Sequence, residues 1–468
     1  MNKAEFGLIG LAVMGQNLSR NIARNKVRTI VYNRTGETTK TFIKEHGSNY
    51  LRGEIDLKVF IGSLLKPRRI MLMIKAGDAV DAVIKQLTPL LDKGDVIIDG
   101  GNSHFHDTIR RESELKKKGI HFIGCGVSGG EEGALNGPSL MPGGSKEAWK
   151  LVRPVFEKIA AKDFTKKPCV THVGENGAGH YVKMVHNGIE YGVMQLISEG
   201  YHMLKSLYNL KSPEVAEIFT HYNKGRLKSF LFEIAVPVLT KKDDIGKKGY
   251  LIDKILDKAG QKGTGKWTSV DALDRGVTLS TLTEAVFART VSSQKELRVK
   301  LSKLYKKSTQ KNALTLEQFA VILEDALYAG MLTCYAQGYD LIQTAGKEQH
   351  WKIDLAEVSR IWEGGCIIRS VILNFLHNAY QKAGKDRHLF EIPAVSKDLK
   401  DSINNLRNVT ALSCLHNVPA PALASSLAYF DAITSAQTSA NLIQGLRDYF
   451  GAHMYERMDK KGVFHTEW

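Results

Sequence analysis

The chain has 468 residues, 43% of them hydrophobic and 24% charged, with a formal net charge of +16 and an isoelectric point near 9.4. That size calls for two or three domains with sizeable cores, and the composition excludes disordered, collagen-like and disulfide-stapled classes. No run of about 18 consecutive apolar residues occurs, so no membrane span is expected.

Five cysteines (Cys125, Cys169, Cys334, Cys366 and Cys414) are odd in number and scattered, with no C-x-x-C pair. Neither a disulfide framework nor a metal site is expected from them. The opening residues lack a leader-type apolar core, and a reducing, cytoplasmic compartment is the expectation. The basic balance admits nucleic acid, an anionic substrate and cofactor, or plain solvated lysine. Clusters at 116–118, 241–242, 247–248 and 306–307 carry few interleaved aromatics. Most are therefore expected on the surface, and nucleic-acid binding is not expected.

Residues 5–10 (E-F-G-L-I-G) read as a short strand, and L-A-V-M-G-Q-N-L-S-R after it has helical spacing. Between them Gly10, Ala12 and Gly15 spell G-x-A-x-x-G. With Leu11, Val13 and Met14 they form a turn of small residues and free amides where a pyrophosphate meets a helix N-terminus. A second strand, 29–32, ends at Asn33, Arg34 and Thr35. A carboxylate at this point would hold the ribose 2′-hydroxyl of NAD. An arginine with two small hydrogen-bonding neighbours suits a 2′-phosphate, so NADP is expected; a polar strand-to-helix turn is the plainer alternative.

Further strands at 69–74, 95–99 and 121–125, separated by helical segments such as 78–91, predict a parallel, doubly wound sheet. Their carboxyl ends carry Lys75, Ala76 and Gly77, then Gly100, Gly101, Asn102 and Ser103, then a loop containing Ser128, Gly129 and Gly130. Plain turns use the same residues. Three such tips on one edge predict a single binding rim. Loops are expected at 137–138 and 141–144, before a last α/β segment ending near Gly179.

From His180 onward helix-compatible stretches dominate, the first running past Leu204. If residues 181–191 (Y-V-K-M-V-H-N-G-I-E-Y) are helical, Lys183, His186, Asn187 and Glu190 share one face, with Tyr191 at its edge. Such a face is either a solvated ion-pair pattern or an acid–base site. The chain supplies its own control. Residues 192–204 realign on 330–342, 138 residues later, with Ala216-Glu217 answered by Ala356-Glu357 and Tyr222 by Trp362. A duplicated helical unit is expected. At the same offset Lys183 becomes Val321, His186 becomes Glu324, Asn187 becomes Asp325 and Glu190 becomes Tyr328. The helical framework therefore does not demand the polar set, which favours a site. Between the copies, 260–268 (G-Q-K-G-T-G-K-W-T) suits a loop closing over phosphate, with a flexible linker as the alternative. The last stretch carries R-D-Y-F-G-A-H and an aromatic tip, Phe464 and Trp468, suited to packing on a neighbouring chain.

Eight motifs in order, G-L-I-G-L-A-V-M-G-Q-N-L, Y-N-R-T, I-K-A-G, D-G-G-N-S, G-V-S-G-G-E-E-G-A, Y-V-K-M-V-H-N-G-I-E-Y, Q-K-G-T-G-K-W-T and R-D-Y-F-G-A-H, resemble the decarboxylating, NADP-dependent 6-phosphogluconate dehydrogenase family over nearly the whole chain. The expected organisation is a Rossmann-type α/β domain at 1–179 and a large all-α substrate and dimerisation domain with an internal duplication at 180–436. A C-terminal tail at 437–468 follows. The resemblance implies oxidative decarboxylation of 6-phosphogluconate to ribulose 5-phosphate and carbon dioxide, with NADP reduced. It makes Lys183 the base on the 3-hydroxyl and Glu190 the acid that protonates carbon 1. Asn102, Ser128, Gly129, Gly130, His186 and Asn187 would hold the sugar-acid end, and Tyr191, Lys262, Thr264 and Arg289 the phosphate. Arg447 and His453 would complete the site from the partner subunit of a homodimer. Cofactor contacts would fall on Gly10, Leu11, Ala12, Val13, Met14, Gly15, Asn33, Arg34, Thr35, Lys75, Ala76 and Asn102, and no metal is implied.

An ordinary lysine, with a pKa of about 10.4, is too basic for this role, so burial and a nearby cation are expected to lower it. Two departures from the family pattern stand out: Glu363, where relatives commonly carry arginine, and Met454, in place of a small hydroxyl residue. Neither falls on a matched catalytic position. A shorter-chain β-hydroxyacid dehydrogenase would lack the second helical copy and the phosphate set Lys262, Arg289 and Arg447. A silent NADP sensor or an RNA-binding protein would leave Lys183 beside Glu190 unexplained.

Overall fold

The computed structural model describes residues 3–246, 248–305, 313–384 and 386–468. Seven strands, β1 (Phe6–Ile9), β2 (Thr29–Tyr32), β3 (Leu51–Glu54), β4 (Arg69–Leu72), β5 (Val96–Asp99), β6 (His121–Ser128) and β7 (Ser139–Gly144), form one sheet ordered β3-β2-β1-β4-β5-β6-β7. The first six are parallel and covered by helices on both faces, which is why β1, β5 and most of β6 are apolar runs buried throughout. Strand order reverses between β1 and β4, and the crevice beyond their carboxyl ends is where such sheets hold ligands.

Two segments differ from expectation. β3 is L-R-G-E, with Leu51 alone fully buried, too polar a pattern to announce a strand. The loop expected at 141–144 is instead part of β7, antiparallel to β6, so the sheet is mixed rather than wholly parallel. Pro142 is tolerated at this sheet edge. Gly143 is not there to turn the chain: a Cβ on it would lie 2.3 Å from the Gly179 amide nitrogen. It lets the next helix lie directly on the strand.

That helix, Ala178–Tyr208, is 31 residues long and packs against a second long helix, Leu316–Glu348, of 33 residues. The duplication is written into their contact. Gly192 faces Cys334 and its counterpart Gly330 faces Leu196; Gly200 faces Leu327 and its counterpart Gly338 faces Ile189. Each glycine accepts the partner helix's side chain, so the pair meets about a pseudo-twofold axis. Downstream, Phe230 N donates to Arg369 O and Val371 N donates to Lys228 O, both at 3.0 Å, an equally reciprocal pair around Ser229 and Ser370. Leu316–Glu348 is long and apolar enough to cross a membrane, yet 72% of its apolar window is buried inside the fold. Each fully buried leucine there contributes about 1.5–3 kcal/mol, ample reason for an apolar helix in a protein core.

The described members of the lysine clusters, Lys116 to Lys118, Lys241, Lys242 and Lys248, are exposed to solvent. Lys247, Lys306 and Lys307 lie outside the described residues. The C-terminal stretch forms a helix, Ala440–Gly451, and a two-stranded hairpin, β8 (Tyr455–Glu456) and β9 (Val463–Phe464). Asp448 ties it together, accepting from Met454 N, Thr466 N and Trp468 Nε1. Leu442, Ile443, Leu446, Tyr449 and Phe450 along the helix are all more than half exposed.

Candidate active site

The helix Ala178–Tyr208 is fixed at its start by His180. Its Nε2–H donates to the Asp99 carbonyl at 3.1 Å, and its Nδ1 accepts from Thr108 Oγ1 at 2.6 Å. Asp99 also holds the following loop, accepting from Gly101 N at 3.0 Å and Ser103 Oγ at 2.6 Å. Glycine-rich loop and helix thus share one anchor.

One turn on, Lys183 leaves the helix toward the end of β6. Gly126 makes room for it, since a Cβ there would sit 2.5 Å from Lys183 Cβ. Lys183 Nζ donates to Ser128 Oγ at 3.1 Å, and Ser128 Oγ lies 3.4 Å from His186 Nε2. His186 Nδ1 is 3.2 Å from Asn187 Oδ1 and 3.8 Å from Glu190 Oε2. One assignment satisfies these groups in series: Lys183 donates to Ser128, Ser128 to His186 Nε2, and His186 Nδ1–H to Asn187. The four helix residues are the expected ones. Far from forming a solvated face, Lys183, His186 and Asn187 are each less than a tenth exposed.

Burial sets the protonation states. It pushes the Lys183 ammonium below the lysine range, against the upward pull of the Glu190 carboxylate. The same desolvation raises Glu190, opposed by Lys183 and Arg289. His186 is held neutral, well below its usual value, by burial and then by Lys183. The expected cation beside Lys183 is absent from these causes; desolvation lowers its pKa. Burial therefore makes the lysine easier to deprotonate and the carboxyl group easier to protonate than either is in water.

Lys183, Asn187 and Glu190 line a cavity of about 840 Å³ with Ala76, Asn102, Ser128, Gly129, Gly130, Tyr191, Lys262 and Thr264, and His186 sits behind this wall against Ser128 and Asn187. Lys262 N donates to the Tyr191 hydroxyl at 3.4 Å, and the Arg289 guanidinium lies over the Tyr191 ring, 3.3 Å from its centroid. Thr264 opens the helix Thr264–Asp274, whose first turn has no side-chain cap, leaving amides for an anion. Trp267 and Ile367 also line the cavity. Trp267 belongs to the phosphate-type loop, whereas no local pattern marks Ile367, which arrives from the second helical copy. Arg447 and His453 are elsewhere: Arg447 donates to Gln444 Oε1 at 3.0 Å and His453 packs on Phe450 within the tail.

At Ile74 and Lys75 this cavity adjoins a second of about 340 Å³, lined by Gly10, Leu11, Ala12, Asn33, Arg34, Thr35 and Lys75, while Met14 lines the first alone. Gly10 has φ +102°, and a Cβ on Gly15 would fall 1.9 Å from the Gly10 carbonyl oxygen, so the turn tolerates nothing larger. Asn33 Oδ1 accepts from Leu11 N at 3.1 Å, locking the tip of β2 onto the glycine turn. The first helix, Val13–Arg24, opens without a side-chain cap or an acidic residue in its first turn. An exposed Arg34 flanked by Asn33 and Thr35 gives a 2′-phosphate a cation and hydrogen-bonding neighbours, so the residues present fit NADP.

The departures from the family pattern have local explanations. Glu363 is buried and accepts from Phe164 N and Asn374 Nδ2, both at 3.1 Å. Met454 is half-exposed, with φ +62°, its amide held by Asp448.

A dinucleotide crevice adjoining a cavity lined by a buried lysine and a part-buried glutamate defines a nicotinamide-dependent dehydrogenase. Residues 5–174 match the model of the NAD binding domain of 6-phosphogluconate dehydrogenase, and 179–468 match that of its C-terminal domain. The chain belongs to the 6-phosphogluconate dehydrogenase family. It is 49% identical over 470 residues to the NADP-dependent, decarboxylating enzyme of Bacillus subtilis, with all of both chains covered. It is 48% identical over 468 residues to the decarboxylating enzyme of Escherichia coli, again across all of both. A solved structure of Plasmodium falciparum 6-phosphogluconate dehydrogenase superposes with a TM-score of 0.96 at 44% identity, covering 99% of this chain and 100% of that one. The Plasmodium enzyme was solved in its apo form, with NADP+ and with 6-phosphogluconate.

Proposed function

We propose that this protein oxidises and decarboxylates 6-phosphogluconate to ribulose 5-phosphate and carbon dioxide. NADP, when bound, supplies the hydride acceptor. Lys183 takes the proton of the substrate 3-hydroxyl, then, as an ammonium, hydrogen-bonds the oxygen it has uncovered. The resulting 3-keto acid loses carbon dioxide because its carbonyl accepts the electrons released, and Glu190 returns a proton to carbon 1. Ser128, His186 and Asn187 orient Lys183 and the sugar-acid end, together with Asn102, Gly129 and Gly130. Tyr191, Lys262, Thr264 and Arg289 hold the phosphate. Gly10, Leu11, Ala12, Val13, Met14, Gly15, Asn33, Arg34, Thr35, Lys75, Ala76 and Asn102 serve the cofactor.

One observation carries the reading: Lys183 and Glu190 share a buried wall of the 840 Å³ cavity, their proton affinities displaced in opposite directions, next to the cofactor crevice. For function we divide the chain into cofactor (1–179), substrate (180–436) and tail (437–468) regions. The tail works in a homodimer, bringing Arg447 and His453 to the partner's site. Support comes from its exposed apolar helix and from the contacts of both residues, which lie within the tail and not on the wall of their own cavity. Free cysteines, four of the five buried, fit a reducing cytoplasm.

The test mixes purified protein with 6-phosphogluconate and NADP and follows NADPH and carbon dioxide together. Equimolar release is expected; NADPH without carbon dioxide would refute decarboxylation.

A further inference from the structure

The mouth of the reaction cavity is framed by two loops from different parts of the chain. Asn102 lies on the loop after β5, while Lys262, Thr264 and Trp267 come from the helix Thr264–Asp274 and the residues before it. Two residues beyond Asn102, the His104 ring meets the Trp267 indole edge-to-face, with centroids 5.1 Å apart and planes at 78°. No residue of the acid–base set takes part in this contact, and no motif in the sequence points to it.

The histidine is held from behind. It is the N-cap of the helix Phe105–Lys116, its Nδ1 accepting from His106 N at 3.4 Å, which leaves the ring proton on Nε2. His106 stacks on the same ring at 5.3 Å, and Phe105 next to it packs edge-to-face on Tyr181 at 4.9 Å. Tyr181 belongs to the helix carrying Lys183, and its hydroxyl donates to Asp271 at 2.5 Å, on the helix of Trp267. The ring therefore sits in a braced aromatic stack joining both sides of the mouth. Burial, then His106, lowers the His104 pKa against the pull of Asp107 and Asp271, so the ring is neutral near pH 7.

We propose that His104 is a positioning residue that clasps Trp267 across the cavity mouth and so holds the phosphate loop in register with the loop bearing Asn102. Aromatic edge contacts are worth enough to bias such a register but not to hold the fold together. The clasp rests on the reading that Lys262 and Thr264 grip the substrate phosphate. It predicts a defect in substrate affinity rather than in chemistry, because Lys183 and Glu190 are fixed by other contacts.

The experiment compares wild type, His104→Ala and His104→Phe, each as full-length enzyme. Measured quantities are KM for 6-phosphogluconate, kcat, NADP affinity by fluorescence titration without substrate, and thermal stability. His104→Ala should raise the substrate KM by about threefold to tenfold, leaving kcat and NADP affinity within about twofold. His104→Phe, which keeps a ring but loses the cap, should restore KM to near the wild-type value. An unchanged KM in His104→Ala overturns the clasp. So does a phenylalanine variant as impaired as the alanine one, which would assign the effect to the helix cap. A kcat loss equal to the KM change also overturns it. Failure of the broader reading shows separately, as absence of 6-phosphogluconate turnover in wild type.

Discussion

Lys183 illustrates how much of the chemistry is set by where one side chain stands. Its ammonium is stripped of water by β6 and by its own helix, and what remains polar around it is Ser128, His186 and the Glu190 carboxylate. Lys183→Met keeps the length of the stem and removes the base, so oxidation should vanish while NADP titration stays close to wild type. Normal turnover in that variant would remove the lysine from its role. The pH dependence follows from the two shifts with their signs. Lys183 acts as base when neutral, so kcat/KM should climb as pH rises through a pKa below the lysine range. Glu190 acts as acid when protonated, so activity should fall as pH rises through a pKa above the carboxylate range. A rising limb found only above about pH 10 would show an unperturbed lysine and contradict the burial argument. Arg34, at the far end of the cofactor crevice, is exposed and touches nothing assigned to the reaction. Arg34→Ala should weaken NADP by about 1–3 kcal/mol and NAD far less, since only the former offers a 2′-phosphate. Equal losses for both cofactors would reassign the residue.

At the scale of elements, glycines decide how close the long helix comes to the sheet. Gly179 would drive a Cβ to 2.1 Å from the Gly124 carbonyl oxygen, and Gly126 is the residue against which Lys183 leans. Gly126→Ala should displace the lysine stem while leaving β1, β2 and the glycine turn intact. Turnover is expected to drop by about tenfold or more, with NADP affinity unchanged, because small misplacements of a reacting group are costly. A parallel loss of cofactor binding would mean that the whole sheet edge had moved. The duplication belongs to this scale too. Its two long helices meet through equivalent glycines, yet the second copy has Arg226 paired with Asp325, and Tyr328 donating to Asp398 at 2.9 Å, where the first has its acid–base face. One framework serves as cavity wall in one copy and as a closed ion-pair surface in the other.

For the whole molecule, the tail is where the proposed homodimer is tested. Its helix leaves Leu442, Leu446, Tyr449 and Phe450 exposed in the single chain, an apolar face suited to burial on a second copy. Mixing Lys183→Met chains with Arg447→Ala chains, each inactive alone, should rebuild one complete site in each mixed dimer. Random reassortment then restores about a quarter of wild-type activity. No recovery after subunits are shown to have exchanged would place Arg447 in its own chain's site, and an Arg447→Ala chain active by itself would place it outside the reaction.

The sequence by itself determined the class of fold, the cofactor turn and the helix face of Lys183 and Glu190. These depend on local spacing: glycines where a strand gives way to a helix, and polar residues repeating at helical intervals. β3 escaped because a four-residue strand with one buried side chain has no period to detect, and β7 because Pro142 and its glycines imitate a turn. Tertiary structure alone decided which way the polar face looks, into a buried cavity rather than out to water. It alone brought Ile367 and Trp267 to that cavity and set His104 against Trp267. Proton affinity follows from desolvation, and desolvation is a property of what packs above a residue, which no spacing along the chain records.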